Sequence, residues 1–233
     1  MQHWETMILF FFIAFVYASV GFGGGSSYLA VLALYGLPFK ELRLIALICN
    51  IIVVTGGTVL FIRHNYVNWK KIIPLVMVSV PLAFLGASLK IEQQTFFILL
   101  GISLVVAAGL MWSGSKSYLV KESLAIAAHP NYFRDGALGG SIGFLSGMLG
   151  IGGGIFLAPV LNLAKWDSPK RIAATASIFI LVNSVAGIAG QLAQLPASIN
   201  YMQIALLCLA VFIGGQLGSR MAVIKFNHWW FVA

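Results

Sequence analysis

The chain has 233 residues, 60% of them hydrophobic and only 9% charged, with a mean hydropathy of +0.97. A water-soluble domain could not cover that much apolar side chain with polar surface, so the composition excludes one and points to an integral membrane protein. The formal charge of +8 does not call for nucleic acid, because the basic residues fall in short stretches between apolar runs rather than along one helical face.

The first apolar stretch, 6–36, runs for 31 residues without a charge. As one helix it would extend about 46 Å at about 1.5 Å per residue, too long for a hydrocarbon core of roughly 30 Å even when steeply tilted. It is broken near its middle by GFGGG at 21–25. The break leaves two arms of about a dozen residues, shorter than a span and typical of re-entrant half-helices. No Lys or Arg precedes the first arm, which argues against a cleaved leader. Spanning helices are expected next at 44–62, 72–89 and 95–112, each with at least 18 apolar-rich residues. A polar linker at 113–135 follows, carrying Lys116, Lys121, Glu122, Arg134 and Asp135. The design then returns: 139–166 is broken by GIGGG at 150–154, a span is expected at 172–195, and a further helix runs towards Lys225. Cys49 and Cys208 lie inside apolar runs and read as small packing residues rather than a disulfide.

The recurrence is an internal repeat. The glycine clusters are offset by 129 residues. Val67-Asn68-Trp69 returns as Ile199-Asn200-Tyr201, and Leu85-Gly86-Ala87-Ser88 as Leu217-Gly218-Ser219-Arg220, both at an offset of 132. Residues 1–112 form the first repeat, 113–135 a cytoplasmic linker and 136–233 a second repeat that lacks the partner of the segment at 95–112. About seven apolar segments result.

Charge placement orients them. If the broken segments cross the membrane, eight basic residues fall on one side and six on the other, with no bias. If they enter and return on the same side, Lys40, Arg43 and Lys90 face one way and the other eleven face the opposite way. The positive-inside tendency favours the second arrangement, with the amino terminus outside. Each copy then crosses an odd number of times and the two are inverted, a plan common among secondary transporters. The fold class expected is therefore all-α and integral to the membrane, with two inverted repeats, each a glycine-broken re-entrant hairpin followed by spanning helices.

Irregular backbone at membrane depth is tolerated only where protein or a water-filled cavity surrounds it, since an unpaired amide in lipid costs several kcal/mol. The glycine clusters must therefore face inward. Each is followed by a new helix whose free amides and partial positive end favour an anion. Two inverted copies would aim Gly23, Gly24, Gly25, Ser26 and Ser27 at the same point as Gly152, Gly153, Gly154 and Ile155. Glycine-rich stretches in membrane helices also serve close packing; their recurrence inside two over-long segments favours a site. A dinucleotide or phosphate loop does not fit, because no strand precedes the glycines and no GK[ST] follows them.

Few other polar residues lie within the spans: Asn50, Thr55 and Thr58 after the first cluster, and Thr175, Ser177, Asn183, Ser184 and Gln191 after the second. Each alone suits an interhelical hydrogen bond. As a set beside both clusters, Asn50, Thr175, Ser177 and Asn183 are candidates for a shared cavity. No ionisable residue is expected at mid-span, unlike proton-driven pumps. Arg43 and Arg171 would attract anions at the two mouths or anchor to headgroups. His64 and His129 are expected in exposed loops, and Trp4, Trp69, Trp112, Trp166, Trp229 and Trp230 in an interfacial belt.

The paired glycine motifs, the Leu-Gly-Ala-Ser and Leu-Gly-Ser-Arg sites and the run Ala173-Ala174-Thr175-Ala176-Ser177 together resemble the TauE/SafE family of sulfite and organosulfonate exporters. The resemblance spans the chain. It implies seven or eight helices in two repeats, a multi-pass protein of a bacterial or archaeal inner membrane, and transport of small sulfur-containing anions without enzymatic chemistry. The missing last helix departs from that pattern. The expected partners are a small anionic substrate and the lipid bilayer, with no nucleic acid, no metal and no cofactor; homo-oligomerisation is left open. An anion channel or an uptake permease is the alternative reading. An intramembrane serine enzyme built on Ser26 or Ser27 would need a base at membrane depth, and a structural membrane subunit would bind no anion.

Overall fold

A computed structural model describes residues 4–115, 132–192 and 201–224. Among them the chain is all-helical, with nine helices and no strand. In order these are α1 (Trp4–Ser19), α2 (Gly25–Leu34), α3 (Phe39–Arg63), α4 (Trp69–Ser88), α5 (Gln93–Ser115), α6 (Tyr132–Leu149), α7 (Gly154–Leu163), α8 (Pro169–Gln191) and α9 (Tyr201–Ile224). Five of them, α3, α4, α5, α8 and α9, are long and apolar enough to cross a membrane. Each over-long segment is split at its glycine cluster, giving α1 with α2 and α6 with α7.

The arms are unequal, contrary to the expectation of a dozen residues each: 16 and 10 in the first pair, 18 and 10 in the second. The longer arms are extended by close packing along a spanning partner, α6 on α4 and α1 on α9. Gly139, Gly143 and Gly147 of α6 recur every four residues and lie against Leu75, Ser79 and Ala83 of α4. A Cβ at Gly143 would come within 2.6 Å of the Ser79 carbonyl oxygen, so the small stripe is what allows the two backbones to approach. On the other pair, Gly214 and Gly218 of α9 lie against the Phe11 and Phe15 carbonyls and the small side chains of Ala14 and Ala18. One contact recurs at matching positions of the two interfaces. Gly86 of α4 meets the Phe144 carbonyl as Gly218 meets that of Phe15, and the numbers differ by 132 and 129, the offsets of the sequence repeat.

The remaining contacts are reciprocal in the same sense. Helix α4 packs on α8 as α9 packs on α3; α2 lies on α3 as α7 lies on α8; α3 and α8 meet each other at the centre. The core there includes Leu42, Cys49, Val53, Phe156, Leu157 and Phe179, and Phe10 stacks on Tyr28 with ring centroids 4.6 Å apart. Helix α5 packs on α7.

Helix α6 begins inside the stretch expected to be linker, so Asp135 is a buried first-turn residue and not a loop charge. Its Oδ1 accepts a hydrogen bond from Trp166 Nε1 at 3.2 Å. Trp166 is therefore buried rather than part of an interfacial belt, whereas Trp4, Trp69 and Trp112 are exposed. Lys71 lies 4.9 Å from the Trp166 ring centroid, donates to the Trp166 carbonyl at 2.7 Å and pairs with Asp167 at 3.2 Å. This cluster ties α4 to α6 and to the loop before α8. Cys49 and Cys208 are free thiols. His64 is exposed, as expected. His129, Trp229, Trp230 and the segment 225–233, where the repeat was read as cut short, lie outside the described residues.

Candidate functional site at the meeting of two glycine turns

Both glycine clusters fold by the same rule. Helix α1 ends where the amides of Phe22 and Gly21 return to the carbonyls of Tyr17 and Ala18, and α6 ends where those of Ile151 and Gly150 return to Ser146. The residues in the left-handed region are Gly21 (φ +86°) and Gly150 (φ +70°), the helix-ending geometry that glycine adopts at least cost. A second left-handed glycine, Gly24 (φ +82°) or Gly153 (φ +87°), then starts the short helix α2 or α7. Neither helix start carries a side-chain cap, so the first amides keep their capacity to donate.

The two turns touch. A Cβ on Gly25 would lie 2.8 Å from the Ile151 carbonyl oxygen, and one on Gly154 would lie 3.7 Å from the Phe22 ring. Asn50 of α3 sits between them, fully buried. Its Nδ2 donates to the Ile151 carbonyl at 2.8 Å. Side chains added at Gly23 or Gly25 would overlap the Asn50 amide, and one at Gly152 would come within 3.0 Å of its Nδ2. On the opposite wall Ile180 and Ser184 of α8 face Gly152, with Ser184 Oγ 2.8 Å from a Cβ built there.

Enclosed polar atoms without a hydrogen-bond partner line the turns at Asn50 Oδ1, Ser184 Oγ and Tyr28 OH, the last beside Gly24; both amide atoms of Asn183, next to Ser184 on α8, are likewise enclosed and unpartnered. Asn183 stands one turn before Gly187, which faces Leu47, itself one turn before Asn50. Each unpaired atom buried this way costs about 1–3 kcal/mol. Their partners are not supplied by the described residues.

Not every expected site residue contributes a free polar group. The Thr175 hydroxyl donates to the Arg171 carbonyl at 2.8 Å within its own helix, and Ser177 is bonded to Thr58 at 2.9 Å across α3 and α8. Ser26 is buried, while Ser27 Oγ donates to Tyr17 OH at 2.8 Å. Ile155, at the start of α7, is part of the apolar packing around the core. Sequence reasoning named Ser184 but not as a site residue; the structure sets it against Gly152, and its position beside Asn183 was the available signal. Arg43 is a correction. Expected at a mouth, it is only 3% exposed, because its α3 backbone crosses Gly150 and its Nη2 donates to the Gly147 carbonyl at 3.2 Å.

A family model described as sulfite exporter TauE/SafE matches residues 6–231. The chain belongs to the TauE/SafE family. It is 36% identical over 217 residues, covering 91% of this chain and 87% of the other, to "Probable membrane transporter protein y4hK" of Sinorhizobium fredii. It is 26% identical to "Probable membrane transporter protein YunE" of Bacillus subtilis over 73% of this chain and 68% of that one. A probable membrane transporter protein of Methanocaldococcus jannaschii is also 26% identical, over 78% and 69% of the two chains. No solved structure matches significantly. The chain is thus a multi-pass membrane transporter of the TauE/SafE family, acting on a small-molecule substrate.

Proposed function

We propose that this transporter exports a small sulfur-containing oxyanion, sulfite or an organosulfonate, across the inner membrane, binding it where the two glycine turns meet. The observation that carries the reading is the contact between two uncapped helix starts, with unpaired buried polar atoms gathered around them. The amides of 23–27 and 152–155, with the side chains of Asn183 and Ser184, would replace the anion's hydration shell. Backbone donors at two helix starts also contribute roughly half a unit of positive charge each. Thr175 and Ser177 would then hold α8 rather than touch the anion, since their hydroxyls are already bonded.

The halves, α1 to α5 and α6 to α9, are read as inverted repeats, joined by a cytoplasmic linker between α5 and α6. Reciprocal packing of α4 on α6 and of α9 on α1 supports the repeat, and the bias of basic residues supports the inversion, with the amino terminus outside. The pairs α1–α2 and α6–α7 are then re-entrant hairpins. Rocking one half against the other would expose the junction to each side in turn. For an anion leaving a cell, the membrane potential contributes about 2.3 kcal/mol per charge per 100 mV, so export needs no coupling ion.

The test is flux of radiolabelled sulfite and sulfoacetate in proteoliposomes, comparing the wild type with Asn183→Ala and Ser184→Ala. Each substitution removes polar atoms that have no partner within the protein, so the fold should persist. Sulfite affinity should fall about 10- to 100-fold, the worth of a hydrogen bond to a charged ligand. Saturation at low substrate marks a carrier rather than a channel. Wild-type flux in both variants would overturn the proposed site.

A further inference from the structure

Arg43 is buried without a countercharge. Among the described residues no carboxylate pairs with it. Its Nη2 donates to the Gly147 carbonyl, its guanidinium lies 5.8 Å from the Phe96 ring centroid, and its enclosed Nε has no partner. The end of α6 offers about half a unit of negative charge. That leaves part of a full positive charge uncompensated in an enclosed, apolar setting, where an unpaired ion costs several kcal/mol. In a membrane transporter such a residue is best explained by what it meets during transport.

The repeat adds a second, independent observation. Gly150 packs against Arg43 as Gly21 packs against Ala173, so the two positions correspond, yet only one bears a charge. We propose that Arg43 is a fixed countercharge for the transported anion, holding it beside the second glycine turn and making the pathway unequal in its two halves. The inference rests on the anion site proposed above and names its charged partner. It requires a ligand with at least one full negative charge, since a neutral acid would leave the guanidinium unpaired.

Arg43→Gln keeps a donor for the Gly147 carbonyl and removes the charge; Arg43→Lys keeps the charge and loses the planar fork. Binding is read as sulfite- and methanesulfonate-dependent thermal stabilisation of the purified transporter. Arg43→Gln should weaken sulfite binding about 10- to 100-fold, and Arg43→Lys by about 10-fold or less. Sulfite binding by Arg43→Gln equal to that of the wild type would overturn the role of Arg43 while leaving the glycine site standing. A wild type that neither anion stabilises would overturn the site itself, and the inference with it. Should Arg43→Gln fail to fold, the wild type labelled with [15N]arginine decides: the Nε–H resonance absent from Arg43→Lys should shift when sulfite is added, and an unchanged resonance would overturn the proposal.

Discussion

The glycine turns at 21–25 and 150–154 share a sequence pattern, a left-handed helix end and a left-handed helix start, but they sit in different company. Around the first, Gly21 meets Ala173 and Gly24 meets Ile13 and Tyr28; around the second, Gly150 meets Arg43, and Gly152 meets Ser184 and Ile180. Gly152 also adopts a positive φ of +81° where Gly23 does not. The comparison separates two jobs. The backbone pattern common to both turns creates two helix starts that can meet, and in the proposed site the side chains that differ would decide on which side a charged ligand is held.

The largest effect should come from attacking what the turns share. Gly153→Leu places a side chain at φ +87° against Phe179 and Ser146, combining left-handed strain of about 1–2 kcal/mol with overpacking of about 1–3 kcal/mol. The expected outcome is loss of monodisperse protein on size-exclusion chromatography. Gly24→Leu, at φ +82° beside Ile13 and Tyr28, should behave alike if the turns are equivalent as scaffolds. Next comes the difference between the turns: Asn183→Ala and Ser184→Ala should lose about 10- to 100-fold in sulfite affinity with a melting temperature unchanged or raised, because buried atoms without partners disappear. A matched loss of stability and transport would mean that these side chains serve the fold.

Much of this was legible in the sequence because bilayer thickness and helix rise are fixed: 31 uncharged residues cannot form one span, and glycines mark where they break. The repeat read in the sequence likewise sets an expectation of which helices correspond. The faces that meet were harder to read. Helices α3 and α8 are apolar on nearly every side, so periodicity does not say which stripe points inward. Thr175 and Ser177 were therefore named as candidates and Ser184 was not, and only the packing of α8 on α3 and on the second turn separates them. Arg43 misled for another reason. A cation at the start of a spanning helix is expected to snorkel to the headgroups, but the missing side chain at Gly150 lets α3 pass close to the turn, where the guanidinium reaches the Gly147 carbonyl.

Smaller effects sharpen the contrast at the periphery. Lys71→Met removes two charge-assisted hydrogen bonds, to the Trp166 carbonyl and Asp167. It should cost about 1.5–3 kcal/mol in chemical denaturation, moderated by Arg171 on the same carboxylate at 3.7 Å. Arg171→Ala should cost about 0–1 kcal/mol, since that side chain is 48% exposed, and should leave anion affinity unchanged. Equal losses of sulfite binding in Arg171→Ala and Arg43→Gln would erase the distinction between an enclosed countercharge and a solvated one.

The most direct measurement is an experimental structure with selenite as the probe, its position fixed by anomalous scattering. Selenium is expected between the two turns, within hydrogen-bond reach of the amides at 152–155 and of Asn183. A strong selenium peak elsewhere, with none at the two turns, would contradict the view that the paired glycine breaks exist to hold an anion.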